Sequence, residues 1–182
     1  MQKRSTFAIG VDLGTESVKS VALEMSGDGF APKVLGIGGS VAKGFRRGSI
    51  IDPEEAAISI NEAVISLVKS CGVQKDNIYA GIGGLGTSFQ KSKGLVVISR
   101  ADGEVSREDM RRVVLASEGG LSRLQNKEIL HRAPLFYKVD NEMPSQDPFG
   151  LSGGKLEVET MFITAQSLSI KSAIKAFEEA DV

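Results

Sequence analysis

Residues 10–19 read "GVDLGTESVK". An acidic residue, a glycine and a threonine stand between two β-rich runs. Phe7–Val11 is a short apolar run, which predicts a buried strand. Ser17–Glu24 follows at once, with β-branched Val18 and Val21. What comes after Gly14-Thr15 is therefore strand-like rather than helical. That choice separates two kinds of glycine-rich phosphate loop. In one, the loop opens a helix whose N-terminus faces the anion. In the other, backbone N–H groups at a tight hairpin turn form the concavity. The hairpin kind fits here. Gly14 would let the backbone approach a phosphate. The N–H groups of Gly14, Thr15 and Glu16 would converge on it, and the Thr15 hydroxyl would add a donor. Asp12 is anionic and would instead position Mg²⁺, mostly through water. Lys19 would lie near the phosphates if its side chain faces the cleft. The rival reading of the same residues is a plain hairpin with a surface aspartate.

Outward from this hairpin, "SGDG" at Ser26–Gly29 predicts a turn. Lys33–Val41 predicts a third strand. A helix follows: Asp52 can cap it, Pro53 suits its first position, and Glu55 stands three residues after the cap. Ala57, Ile60, Val64, Leu67, Val68 and Cys71 recur at helical spacing, and Gly72 ends the run. Asn77–Gly83 reads as the next strand, and strand–helix–strand order favours parallel pairing. Beyond about Ser88 the order becomes strand (Lys93–Ser99), helix, strand, strand. The helix opens at the capping box Ser106–Asp109 and closes at Glu118–Gly120. Ile129–Val139 is extended, with Pro134 marking an edge or a bulge. Two prolines mark Asn141–Gly154 as a loop. In Lys155–Thr164, Leu156, Val158, Thr160 and Phe162 alternate with Glu157 and Glu159, as in a half-solvated strand. A last helix, capped by Ser167, carries Ile170, Ala173, Ile174 and Phe177 on one face. The other glycine clusters, Gly36–Ser40, Gly81–Thr87 and Leu151–Gly154, read as strand ends or crossovers.

Composition narrows the function classes. The 182 residues suit one domain or two small ones, and 41% hydrophobic content suffices for a core. A net charge of −1 gives no electrostatic footprint for nucleic acid. One cysteine, Cys71, and one histidine, His131, exclude an internal disulfide and a Cys/His metal site. The apolar run at the start breaks at Asp12, too short for a signal segment or a membrane span. These features point to a cytoplasmic protein. Cys71 falls on an apolar helical stripe and His131 on a strand, both structural settings. Lys43, Arg46 and Arg47 form a basic turn. Arg107, Arg111 and Arg112 share the second helix and read as its solvent side.

At this point the residues resemble a family. "IGVDLGTESVKSVALE" is similar to the first phosphate motif of the actin and sugar-kinase superfamily. The segment "GGSVAKGFRRGSIIDPEEAAISINEAV", with Arg47-Gly48 and then Asp52, resembles FtsA, the bacterial actin-like division family. So does "DPFGLSGGKLEVETMFITA", and the strand–helix–strand–strand order from Ser88 is that of the FtsA insert. The resemblance implies an α/β fold: an actin-like (ribonuclease H-like) half-lobe with a mixed sheet, plus a small α+β inserted subdomain. It implies an actin-like ATPase lobe over 1–87, the insert over 88–166, and a helix returning to the lobe over 167–182. It implies ATP with Mg²⁺ as cofactors, held by Asp12, Gly14, Thr15, Glu16 and Lys19, with Asp12 reaching the metal through water. It implies partners: FtsZ through a second lobe, and neighbouring protomers and later division proteins through the insert. The family's place is the inner face of the cell membrane, held by a C-terminal amphipathic helix. Its second phosphate loop, adenosine loop, second lobe and membrane helix would all lie beyond Val182, so this chain corresponds to the N-terminal half. Half a cleft, open to solvent, implies weak ATP affinity and no hydrolysis for this chain alone. The alternatives are a type IV pilus assembly protein like PilM, which has a similar insert, and a sugar or acetate kinase. A kinase needs a catalytic aspartate, and between Gly72 and Ser99 only Asp76 is present. A further alternative is an interaction module that binds no nucleotide.

Overall fold

The apolar run that starts at Phe7 does form a strand, and the hairpin partner follows after three residues. The computed structural model describes residues 6–25, 31–84, 86–122 and 124–182. The turn expected at Ser26–Gly29 lies outside the described residues. In chain order the strands β1 (Thr6–Leu13), β2 (Ser17–Met25) and β3 (Lys33–Val41) lead into a small ribbon, β4 (Phe45–Arg46) and β5 (Ser49–Ile50). Helix α1 (Pro53–Cys71), β6 (Ile78–Gly81), β7 (Ser88–Val97) and α2 (Arg107–Glu118) come next. The chain continues with β8 (Lys127–Val139), β9 (Lys155–Gln166) and α3 (Ser167–Glu179). Two compact units result, Met1–Gly86 with Ser167–Val182, and Thr87–Gln166.

In the first unit the sheet runs β3-β2-β1-β6. The first three strands are antiparallel, and β6 lies parallel to β1. Helix α1 begins and ends where its capping chemistry dictates. The Asp52 carboxylate accepts from the N–H groups of Glu54 and Glu55, and Gly72 closes the helix at φ 72° with its N–H donating to Val68. The buried stripe of α1 includes Ala56, Ile60, Ala63, Val64 and Leu67. It packs on Ile9, Val11, Val18 and Ala22. The approach is close because β3 offers no side chain there. A Cβ on Gly38 would stand 2.3 Å from the Ala63 carbonyl oxygen and 2.5 Å from the Leu67 nitrogen. Ser20 and Ser40 complete the seat, donating to the Ala63 and Ser59 carbonyls at 2.9 and 2.6 Å. Helix α3 lies against α1 through Ala176, with Ala180 just past its end in the same cluster, and Asn61 donates to the Ala180 carbonyl at 2.7 Å. Ser167, expected as its cap, is instead its first helical residue.

The second unit has the sheet order β7-β9-β8, antiparallel throughout. Strand β7 starts at Ser88, ahead of the expected Lys93, and ends at Val97. Pro134 sits on the edge strand β8, beside a register shift between Pro134 and Phe136, as a missing N–H requires. Leu156, Val158, Thr160 and Phe162 of β9 are buried. Helix α2 covers them, and Gly94 lets it down: a Cβ there would meet the Val113 carbonyl oxygen at 2.3 Å. The α2 start is a reciprocal capping box between Ser106 and Asp109. Asp109 is fully buried. It accepts from the amide and hydroxyl of Ser99, from the amide and hydroxyl of Ser106, and from Arg112 at 2.9 Å. Arg112 also donates to the Val97 carbonyl, so it is a structural tie rather than part of the solvent side. Burial pushes the Asp109 carboxyl up, but the Ser106 and Ser99 donors outweigh it and hold it at about 2.

Two outcomes follow from these seats. Gly38→Ala should lower the unfolding free energy by about 3 kcal/mol, because backbone must move; urea denaturation checks it. Asp109→Asn should cost about 2 kcal/mol near neutral pH. Because the folded carboxyl is depressed, that contribution is complete above the ordinary carboxylate range. It fades as pH falls toward about 2, so the variant's deficit should shrink on acidification.

Candidate functional site

The β1–β2 turn consists of Gly14, Thr15 and Glu16. Its tightness requires the glycine, since a Cβ on Gly14 would stand 2.6 Å from the Ser17 carbonyl oxygen. The turn is held from outside at two points. The Glu16 carbonyl accepts from the Ala42 N–H at 3.1 Å. The Thr15 hydroxyl oxygen accepts from the Gly48 N–H at 2.9 Å. That leaves the Thr15 proton to donate elsewhere. Thr15 and Glu16 are exposed.

Gly48 reaches Thr15 because the tip of the β4–β5 ribbon is left-handed, with φ 49° at Arg47 and 74° at Gly48. A Cβ on Gly48 would lie 3.2 Å from the Cα and nitrogen of Gly84, itself at φ 95°. The turn, the ribbon tip and the loop after β6 thus meet with almost nothing but backbone between them.

Asp12 and Lys19 stand directly opposite each other on β1 and β2. Both are exposed. They point away from α1, with Gly81 and Gly39 completing their row across the sheet. The next row on that face is Tyr79, Gly10, Val21 and Ile37. All of these residues except Gly39 line an open concavity of about 660 Å³. Tyr79 is 67% exposed and Ile37 71% exposed. Asp12 and Lys19 are therefore brought together on one open face, while Gly14, Thr15 and Glu16 sit at its end rather than in its lining. Among the described residues no group of three or more His, Cys, Asp or Glu side chains gathers to hold a metal ion. Asp12 alone suits Mg²⁺ only as one ligand among water and phosphate oxygens. Gly48, Gly84 and Tyr79 were not marked by the sequence as parts of this region. Their roles depend on long-range approach, and only the alternation of Tyr79 with Ile78 hinted at an outward side chain.

Residues 84–164 match the SHS2 domain inserted in FtsA. Nearly the whole chain aligns with the cell division protein FtsA of Bacillus subtilis, 28% identical over 174 residues, or 96% of this chain. The FtsA of Escherichia coli K12 is 27% identical over 170 residues, 93% of this chain. The chain is similar to FtsA along nearly its whole length. It spans 39% and 40% of the lengths of these two FtsA proteins. Among solved structures, the PilM-PilN type IV pilus biogenesis complex matches with a TM-score of 0.59 and 17% identity, over 96% of this chain and 45% of that one. At that identity the likeness is one of fold, and it bears out the actin-like α/β class.

The Thr15–Gly48 contact has a direct test. Thr15→Val should speed amide exchange at Gly48 and cost about 1 kcal/mol locally, whereas Thr15→Ser should retain protection.

Proposed function

We propose that this chain is the nucleotide-binding N-terminal part of an FtsA-type division scaffold. The observation that carries the reading is the pairing of Asp12 with Lys19 beside a glycine turn, in a chain related to FtsA along nearly its whole length. In this reading residues 1–87 and 167–182 belong to the actin-like lobe, and 88–166 form the insert. Mg-ATP supplies a polyphosphate and its metal. The amides of Gly14, Thr15 and Glu16 donate to phosphate, joined by the Thr15 hydroxyl. Asp12 orients the metal's water shell, and Lys19 offsets phosphate charge. The concavity is open to solvent, so these contacts act at high dielectric and hold nucleotide weakly without an opposing lobe. Nucleotide then serves to set conformation, and the protein's work is assembly.

The partners belong to the same proposal. FtsZ would be engaged through regions outside this chain, and neighbouring protomers and later division proteins through the insert. Membrane attachment, at the inner face of the cell membrane, is assigned to a C-terminal amphipathic helix of the longer protein. No described helix is long and apolar enough to cross a membrane. A PilM-like role in pilus assembly is the second reading, motivated by the fold match alone.

Two measurements decide. Calorimetry on this chain should show Mg-ATP binding weaker than about 1 mM; micromolar binding would contradict the half-site. A longer protein carrying this chain should bind Mg-ATP at least about ten-fold more tightly than its Asp12→Ala variant and should retain an FtsZ tail peptide. Retention of a pilus inner-membrane peptide instead would favour the second reading.

A further inference from the structure

The second unit carries a cavity of about 520 Å³ bounded by α2 and β8. Its floor is apolar: Met110 and Val114 of α2 and Tyr137 of β8. Leu115 extends it and is 60% exposed, out of place on the solvent side of a helix otherwise so rich in charge. Every charged residue lining it is an arginine: Arg107, Arg111 and Arg132. The carboxylates that pair with them, Asp147, Glu108 and Glu118, do not line the cavity.

The three arginines are not equally engaged. Arg107 grips Asp147 through both terminal nitrogens, at 3.0 and 3.3 Å, and its guanidinium lies 4.5 Å from the centre of the Phe149 ring. It is a fixed wall. Arg132 donates to Glu118 through Nε, which leaves its terminal nitrogens available. Arg111 stands 3.7 Å from Glu108, a charge contact without a hydrogen bond, and its side chain is 78% exposed. Two guanidiniums thus offer free N–H groups over an apolar floor, the geometry that accepts carboxylates in pairs. Strand addition is disfavoured at the same wall, because β8 carries Pro134 and two register shifts.

We propose that this groove is a docking site for an acidic amphipathic segment of a partner protein, its apolar face on Met110, Val114, Leu115 and Tyr137 and its carboxylates on Arg111 and Arg132. Charge complementarity fixes the choice of partner: a basic segment would meet only arginines. The proposal stands on the second unit alone and does not depend on nucleotide binding.

The test uses the whole chain and three fluorescent helical peptides of one design. Leucines spaced i, i+4 form the apolar face, and the flanking positions carry glutamate, glutamine or lysine. Fluorescence anisotropy should show the glutamate peptide binding at least about ten-fold more tightly than the glutamine peptide, with no saturation by the lysine peptide. Arg111→Glu should remove that preference, and adding Arg132→Glu should let the lysine peptide bind. The single Arg111→Glu change touches an exposed side chain, so it keeps the test decisive if the double variant fails to fold. Equal binding of all three peptides, or no saturable binding of the glutamate peptide, would overturn the proposal. So would a dimer in sedimentation equilibrium that Leu115→Asp dissolves, since a second copy would then own the groove.

Discussion

Each unit rests on a helix set down on strand backbone with no side chain between. In the first, α1 brings the Ala63 carbonyl and the Leu67 amide to where a Gly38 side chain would be. In the second, α2 brings the Val113 carbonyl to the same relation with Gly94. Contact this close excludes water and packs helix against sheet at interior density. It also obliges polar groups at the seam to find partners, and they do: Ser20 and Ser40 bond to α1 carbonyls, and Ser117 bonds to Thr160 at 3.1 Å. A larger residue at either glycine would lift the helix and open that seam.

The seating of α1 also decides where chemistry can occur. With Ile9, Val11, Val18 and Ala22 turned to the helix, strict alternation sends Gly10, Asp12, Lys19 and Val21 to the opposite face. That face holds one opposed pair of charges beside an apolar row, and it ends at the turn whose amides are free of side-chain bulk. Three backbone bends meet there, through Thr15 with Gly48 and Gly48 with Gly84. The consequence is a turn held from outside by the Gly48 and Ala42 amides, which suits the proposed anion site because fewer groups would need ordering on binding.

Much of this was legible in the sequence where the signal was local. Asp52, Pro53 and Gly72 bracketed α1, and Ser106 with Asp109 opened α2, because caps act within a few residues. Pro134 marked an edge with a bulge for an equally local reason. The hairpin kind of turn followed from the β-branched residues after Thr15. What stayed hidden was long-range. Nothing near Gly48 announces Thr15, 33 positions away. Gly38 and Gly94 look like weak strand residues until the helix above them is known. Asp109 reads as a capping residue, and only burial reveals it as the hub that also binds Ser99 and Arg112. Arg112 parts from Arg107 and Arg111 for that reason. The FtsA-like segments were recognisable as motifs, but the reason for the Arg47-Gly48 pair, a left-handed tip that reaches the turn, came from geometry.

In the proposed function a polyphosphate and its metal come to rest on the open face beside the Gly14 turn. Replacing Mg²⁺ with Mn²⁺ in a nucleotide titration followed by amide NMR tests it most directly, because paramagnetic broadening reports proximity even when binding is weak. Asp12 and the Gly14, Thr15 and Glu16 amides should broaden first, ahead of the α1 face of the same sheet. Broadening centred elsewhere, or spread evenly over surface carboxylates, would contradict it.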